Sequence, residues 1–254
     1  MQSWIKKFAY PLLAFVAVLA LWQLMVVITG VKESLLPGPL AAGEALVDVI
    51  KNGVLFEHMA ASLFRVAVGF LLAAVLAVPL GLLLGTKKFL SITLDPLLQG
   101  IRTISPISWI PLAILWFGVG NAPAIFIIFI TAFFPILLST ALSVRHVDPQ
   151  LIKVGKNFGA SDTQLLFKII LPAVTPYIVI GLKISLGIAW VIIVAAEMVG
   201  MSSGLGYMIL DARNFLRTDL IIAGMFVIGV IGFILDRLLT FTEVQVKRKL
   251  GFNE

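Results

Sequence analysis

Residues 153–173 read KVGKNFGASDTQLLFKIILPA. The segment is polar and carries Lys153, Lys156 and Lys168, and its Leu171-Pro172 opens another apolar run. Its neighbours on both sides are almost wholly apolar. What the chain is depends on why such a polar island interrupts them.

Composition settles the surroundings. The chain has 254 residues, 60% of them hydrophobic and 13% charged. Soluble domains carry about 25% charged residues. No water-soluble fold of this length uses so much apolar surface, so the excess faces lipid. In a bilayer the backbone must satisfy its own hydrogen bonds, and long apolar runs do so as helices. The fold class is therefore all-α integral membrane, with 1–254 read as a single transmembrane domain. The chain has no cysteine, which excludes disulfides, iron–sulfur clusters and thiolate zinc sites. Its net charge of +6 comes without any basic groove or nucleic-acid motif. The charge belongs instead to loops on one side of a membrane.

A spanning helix needs roughly 20 apolar residues. Six runs qualify: 10–29, 62–84, 94–117, 122–142, 173–199 and 220–240. Lys6 and Lys7 before the first run resemble a signal peptide, but the run is too long and Thr29-Gly30-Val31-Lys32 is a poor cleavage site. It is read as a retained helix. The third run contains Arg102, Pro106 and Pro111 and is expected to be kinked or partly re-entrant. Gly43 to His58 reads as a short amphipathic helix outside the bilayer, after the turn Leu36-Pro37-Gly38-Pro39.

Six spans put both termini on one side. That side holds Lys6, Lys7, Lys87, Lys88, Arg145, Lys153, Lys156, Lys168, Lys247, Arg248 and Lys249. The other holds Lys32, Lys51, Arg213 and Arg217. The positive-inside rule makes the first side cytoplasmic, and the loop 143–172 with it.

Within the loop, Asp148 is an N-cap candidate with Pro149 at the first helical position. Leu151, Ile152, Val154 and Phe158 are the apolar positions of a short helix that Gly159 ends. Ser161 caps a second helix, with Leu165, Leu166, Ile169 and Ile170 as its stripe, and Pro172 is expected to end it. The result is a helix–turn–helix bracket against the membrane surface, its polar face toward the cytosol. Loops of this length are usually functional, and a docking surface for a soluble protein is the natural reading.

Gly159, nine residues, Ile169, one residue and Leu171-Pro172 resemble the cytoplasmic signature loop of ATP-binding-cassette importer permeases, which opens on Glu-Ala-Ala. Here those positions are Lys153-Val154-Gly155. Arg102 to Gly118, Phe133-Phe134-Pro135, Ala195 to Met198, Gly204 to Tyr207 and Ala212 to Phe215 resemble the nitrate/sulfonate/taurine/bicarbonate branch. The resemblance implies a type I importer permease bundle. It also implies coupling helices, with Lys153, Gly155, Phe158, Gly159, Ala160, Ser161, Ile169, Leu171 and Pro172, seated on a P-loop ATPase. It implies two permeases, the homodimer being the expected pairing, and two ATPases. An external binding protein, periplasmic or lipid-anchored, completes the assembly in a bacterial inner membrane. ATP and magnesium belong to the partner ATPase, because this chain has no G-x-x-x-x-G-K-[ST] loop and is expected to carry no cofactor or catalytic site of its own.

Ionisable groups inside a bilayer are costly and usually face an interior or wet cavity. Arg65, near the outer end of the second run, is read as snorkelling to the interface. Asp236 and Arg237 are read as interfacial, and Lys183 as long enough to reach the cytosol. Arg102 has two readings: bidentate contact with an oxyanion, or a pair at the cytoplasmic face. Glu197 would repel an anion, which leaves a gate, an inter-subunit hydrogen bond or a plain structural pair. Ser105, Ser108, Trp109 and Trp190 either line a weak-binding path or, for the tryptophans, pack. Met198, Met201 and Met208 are fillers. His58 and His146 fall on opposite sides and cannot share a metal or acid–base site. The rival function is a self-contained channel or secondary carrier, which more often shows inverted repeats with paired broken helices; here one span is broken.

Overall fold

The structure is a computed structural model. It describes residues 2–249 and 251, with side chains from residue 9 onward; the side chains of Lys6 and Lys7 lie outside the described residues. Its helices are α1 (Gln2–Thr29), α2 (Pro39–Lys51), α3 (Val54–Thr86), α4 (Lys88–Arg102), α5 (Ile110–Phe117), α6 (Asn121–Arg145), α7 (Pro149–Asn157), α8 (Asp162–Leu165), α9 (Leu171–Glu197), α10 (Leu205–Asn214) and α11 (Thr218–Lys249). Five helical stretches are long and apolar enough to span a bilayer, and α4 with the following broken segment makes up to a sixth.

The second span is longer than its apolar run. α3 has 33 residues, about 50 Å at 1.5 Å per residue, against about 30 Å of hydrocarbon. The amphipathic helix ends earlier than the sequence suggests. α2 stops at Lys51 because Gly53 takes φ +74°, a left-handed conformation that glycine adopts without a Cβ clash. Residues 54–58 therefore belong to α3.

The third span is broken. Lys88–Arg102 and Pro106–Phe117 meet at 83°. Pro106 offers no N–H to continue the helix and pushes Ser105 to φ −56°, ψ 131°, outside the helical region. A short 3₁₀ turn, Pro106–Trp109, leads into α5.

At the centre α6 packs on α3 along one side and on α9 along the other. The α3 side of the first contact is a seam of small residues at four-residue spacing: Gly69, Ala73, Ala77, Gly81 and Gly85. In lipid, where apolar side chains gain little by leaving their solvent, small residues let backbones approach and maximise packing. A Cβ on Gly81 would lie 2.6 Å from the Thr140 Cβ and 2.8 Å from the Leu137 carbonyl oxygen. The second neighbour is backbone and cannot turn aside. Gly81→Ala is therefore expected to cost about 1–3 kcal/mol by overpacking, read as an earlier thermal melt in detergent; an unshifted melt would refute the contact. α1 behaves differently. It is apolar throughout and its side chains from Tyr10 to Ile28 are largely exposed, so lipid or another chain must cover it.

Candidate functional site

Three places bring sequence-marked residues together. The first is the bracket. The Asp148 side chain accepts from the Gln150 N–H at 2.8 Å and starts α7, with Pro149 at its first turn. Gly159 takes φ +76°, and its carbonyl side of the turn is followed by a reciprocal cap: Ser161 Oγ accepts from the Gln164 N–H, and Gln164 Oε1 accepts from the Ser161 N–H. The second helix then departs from expectation. It does not end at Pro172. α8 runs through a π turn, Leu166–Ile170, into α9, and the Leu171 N–H reaches back to the Leu166 carbonyl. The wider turn accommodates the proline that an α turn would reject, so the bracket's second helix and the fifth span form one continuous rod, Asp162–Glu197.

The bracket closes at Gly155, which is buried. A Cβ there would lie 2.5 Å from Ile169 Cδ1 and 2.6 Å from Leu165 Cδ2. α7 thus lies directly on the second helix. Of its apolar positions only Ile152 packs on the bundle. Leu151, Val154 and Phe158 stay exposed, Phe158 at 88%, so most of the expected apolar face is uncovered by the described residues. Lys153, Ala160 and Ser161 flank it, exposed or half-buried. Leu171 and Pro172 are half-buried in the rod.

The second place is the break in the third span. Arg102 ends α4 and is exposed, with Ser105 and Ser108 exposed just beyond. Trp109 is half-buried against Trp116, ring centroids 6.3 Å apart, and its indole N–H is buried without a partner among the described residues. A cavity of about 370 Å³ opens between α4, α6 and α9 beside Arg102. At its bracket end Arg145 grips Asp95 with both nitrogens, at 3.0 and 3.1 Å. Trp190 is not part of this opening. It is 5% exposed and donates to the Ile228 carbonyl at 3.0 Å, inside the main core. Lys183 turns toward α11, 3.6 Å from Asp236 and 3.7 Å from Glu243. Arg237 sits over the Phe233 ring at 4.9 Å.

The third place lies at the end of the bundle away from the bracket. Arg65 does not snorkel. It is 2% exposed and meets the wholly buried Glu197 at 2.7 Å. The same nitrogen, Nη1, also donates to the Ser203 carbonyl at 2.7 Å, while Nε donates to Asn121 Oδ1 at 2.8 Å and Nη2 to Ser203 Oγ at 2.7 Å. Burial of so many polar partners in one spot is what makes a buried charge tolerable where an isolated one is not. Glu197 also accepts from Ser62 Oγ at 2.8 Å and from the Gly206 N–H at 3.0 Å. Two more N–H groups at the start of α10 are taken: Leu205 by Ser62 Oγ at 2.9 Å and Gly204 by His58 Nδ1 at 3.1 Å. The N-terminus of α10, whose N–H groups have no partners in their own helix, is therefore capped by three side chains from α3 and α9. The loop is wrapped so closely that a Cβ on Gly206 would sit 2.9 Å from the Glu197 Cβ. Of the readings left open for Glu197, the fold places it in a pair within the chain. Ser62, Asn121 and Ser203 were not singled out by sequence, and Arg65 was marked only as an interfacial side chain. The available signal was two opposite charges, Arg65 and Glu197, each inside an apolar run and at the same end of its span.

Residues 77–248 match the family model described as "Binding-protein-dependent transport system inner membrane component". The chain is similar to the putative aliphatic sulfonates transport permease protein of Bacillus subtilis, 38% identical, with 95% of this chain and 86% of that protein covered. It is similar to the nitrate import permease protein of Synechocystis, 37% identical, with 94% and 90% covered. Among solved structures, an inward-facing form of the MetNI methionine ABC transporter superposes with a TM-score of 0.64 at 20% identity, over 79% of this chain and 97% of that one.

Proposed function

This chain belongs to the family of binding-protein-dependent transport system inner membrane components, and on that premise we propose that it moves a small oxyanion inward, taking its drive through the 143–172 bracket. As a member it is the multi-pass permease of an ATP-binding-cassette importer and works with a separate ATPase and a binding protein. The finer assignments are our reading. The substrate is an anion of the nitrate, bicarbonate, taurine or sulfonate kind, which the sulfonate and nitrate permeases among its relatives support. The whole length acts as one permease domain, paired with a second copy and two ATPases in a bacterial inner membrane. Both termini are cytoplasmic, as the distribution of lysines and arginines favours.

One observation carries the coupling assignment: the bracket is internally locked, by its caps and by Gly155, yet offers an uncovered apolar face at Leu151, Val154 and Phe158. Lys153, Gly159, Ala160 and Ser161 border that face. Ile169, Leu171 and Pro172 join it to the fifth span. Closure of an ATPase dimer would draw two such brackets together, and the rod from Asp162 to Glu197 would carry the motion across the membrane. Each step biases two arrangements of the bundle. Arg102, Ser105, Ser108 and Trp109 lie at the broken span and form the path. Trp190 and Glu197 support it from the core.

Gly159→Asp tests the coupling. Its Cβ would enter open space, so the fold loses only the strain of a left-handed side chain, about 1–2 kcal/mol. The variant is expected to reach the membrane and to lose the ATPase on affinity purification, whereas the wild type brings down a P-loop protein. Normal transport and retention of the ATPase by Gly159→Asp sink the assignment.

A further inference from the structure

We infer that the cavity beside the broken span is a subsite for an organic anion with a charged head and a short apolar body, an alkanesulfonate-like ligand rather than a bare oxyanion. The inference rests on the anion-importer reading and narrows it.

Three features point to this chemistry. First, one cation is free. Asp95 is the carboxylate in the cavity wall, and Arg145 holds it with a two-nitrogen grip. Arg102 has no hydrogen bond or ion pair among the described residues, and neither has the Gln99 amide beside it on α4. The cavity therefore presents an uncompensated guanidinium with an amide next to it. Guanidinium binds two oxygens of one anion in parallel, so carboxylate, sulfonate and phosphate heads all fit its fork.

Second, the opposite wall is apolar. Pro135 and Leu138 of α6 and Ile184 of α9 face the same space. A nitrate or bicarbonate ion has no apolar atoms to place there and would leave that wall to water. A ligand with two or three methylenes removes it from water while its head stays on Arg102. Third, the volume of about 370 Å³ lies near the small end of the range for ligand pockets, about 300–1,000 Å³. That is ample for a short-chain anion. Arg145 is a second cation at the bracket end, kept off the ligand by Asp95, so a head group is held by one guanidinium and can leave. Weak holding is what a conduction site requires.

The test uses the permease–ATPase complex in lipid nanodiscs without its binding protein, so that only this chain's selectivity is read. Saturation-transfer NMR is recorded on propane-1-sulfonate and methanesulfonate, with nitrate as competitor. We expect transfer to propane-1-sulfonate, weakened about tenfold or more in Arg102→Ala and partly kept in Arg102→Lys. Equimolar nitrate should displace little of it. Leu138→Gln should erase most of the preference for the propyl over the methyl compound, a preference of about tenfold. Arg102 is exposed and its side chain makes no hydrogen bond or ion pair among the described residues, so its variants are expected to insert normally, and their melts check this. Equal transfer in wild type and Arg102→Ala overturns the inference, as does displacement by equimolar nitrate or absence of transfer. Anion uptake by the complete wild-type system is measured alongside. Uptake without saturation transfer overturns the subsite and leaves the importer reading standing. Absence of uptake for every anion removes that reading, and the subsite with it.

Discussion

Glu197→Ala is expected to destabilise the folded chain by about 3–5 kcal/mol, the cost of leaving one member of a buried ion pair without its partner. The reason is geometric. Arg65 is 2% exposed and has no route to water. Its remaining partners, Asn121 and Ser203, are neutral. The same substitution also strips the Gly206 N–H of its acceptor, and a buried unsatisfied donor adds about 1–3 kcal/mol. The effect on transport is expected to follow from loss of fold at the end of the bundle away from the bracket, where the α9–α10 loop would come loose from α3. Glu197→Gln keeps the shape and can still accept from Gly206 and Ser62, so it should fall between wild type and alanine. The double variant Arg65→Ala/Glu197→Ala should lose less than the sum of the single losses, because it removes both charges together. The measurement is thermal unfolding of the purified chain in detergent, with membrane accumulation as a second reading. If Glu197→Ala melts with the wild type, the pair does not hold this end of the bundle.

That cluster was the least legible part of the sequence. Spanning runs were readable because apolar composition over about 20 residues is a local property. The caps Asp148 and Ser161 were readable for the same reason, each acting on an N–H two or three residues away. The Arg65–Glu197 contact joins residues 132 apart, and no local pattern announces it. Snorkelling was the reading that a single span allows; a partner on another span changes the energetics altogether. Trp190 lies in the core, apart from the cavity beside the broken span, for a similar reason. Its indole N–H found a carbonyl on α11, a neighbour that its own helix does not reveal. Pro172 taught a different lesson. Proline normally stops a helix by removing a donor and crowding the preceding turn. Here the turn widened to a π geometry and the helix passed through. That changed the bracket from a hinge-like connection into a lever continuous with a span.

The proposed docking of an ATPase on the bracket needs a grip, and Phe158 is the side chain we assign to it. The side chain is 88% exposed at the end of α7, beside the exposed Leu151 and Val154. Aromatic side chains set in partner pockets dominate many interfaces, and truncating one costs about 2 kcal/mol or more. Phe158→Ala is therefore expected to weaken the ATPase–permease association by about 30-fold or more. Transport should fall accordingly. The fold should not notice. A residue that touches so little of its own chain changes stability by about 0.5 kcal/mol or less. Gly155→Leu provides the contrasting case. It leaves Phe158 in place but drives a branched side chain into Ile169 and Leu165, forcing α7 off the second helix. Both variants should uncouple ATP hydrolysis from transport, but only Gly155→Leu should also lower the melting temperature of the isolated permease. Titration of each purified permease with its ATPase, in lipid, separates the two. Wild-type affinity in Phe158→Ala would move the grip elsewhere on the bracket, to Lys153 or the Gly159 turn. Wild-type affinity in both variants would mean that the bracket is not where the ATPase holds this chain.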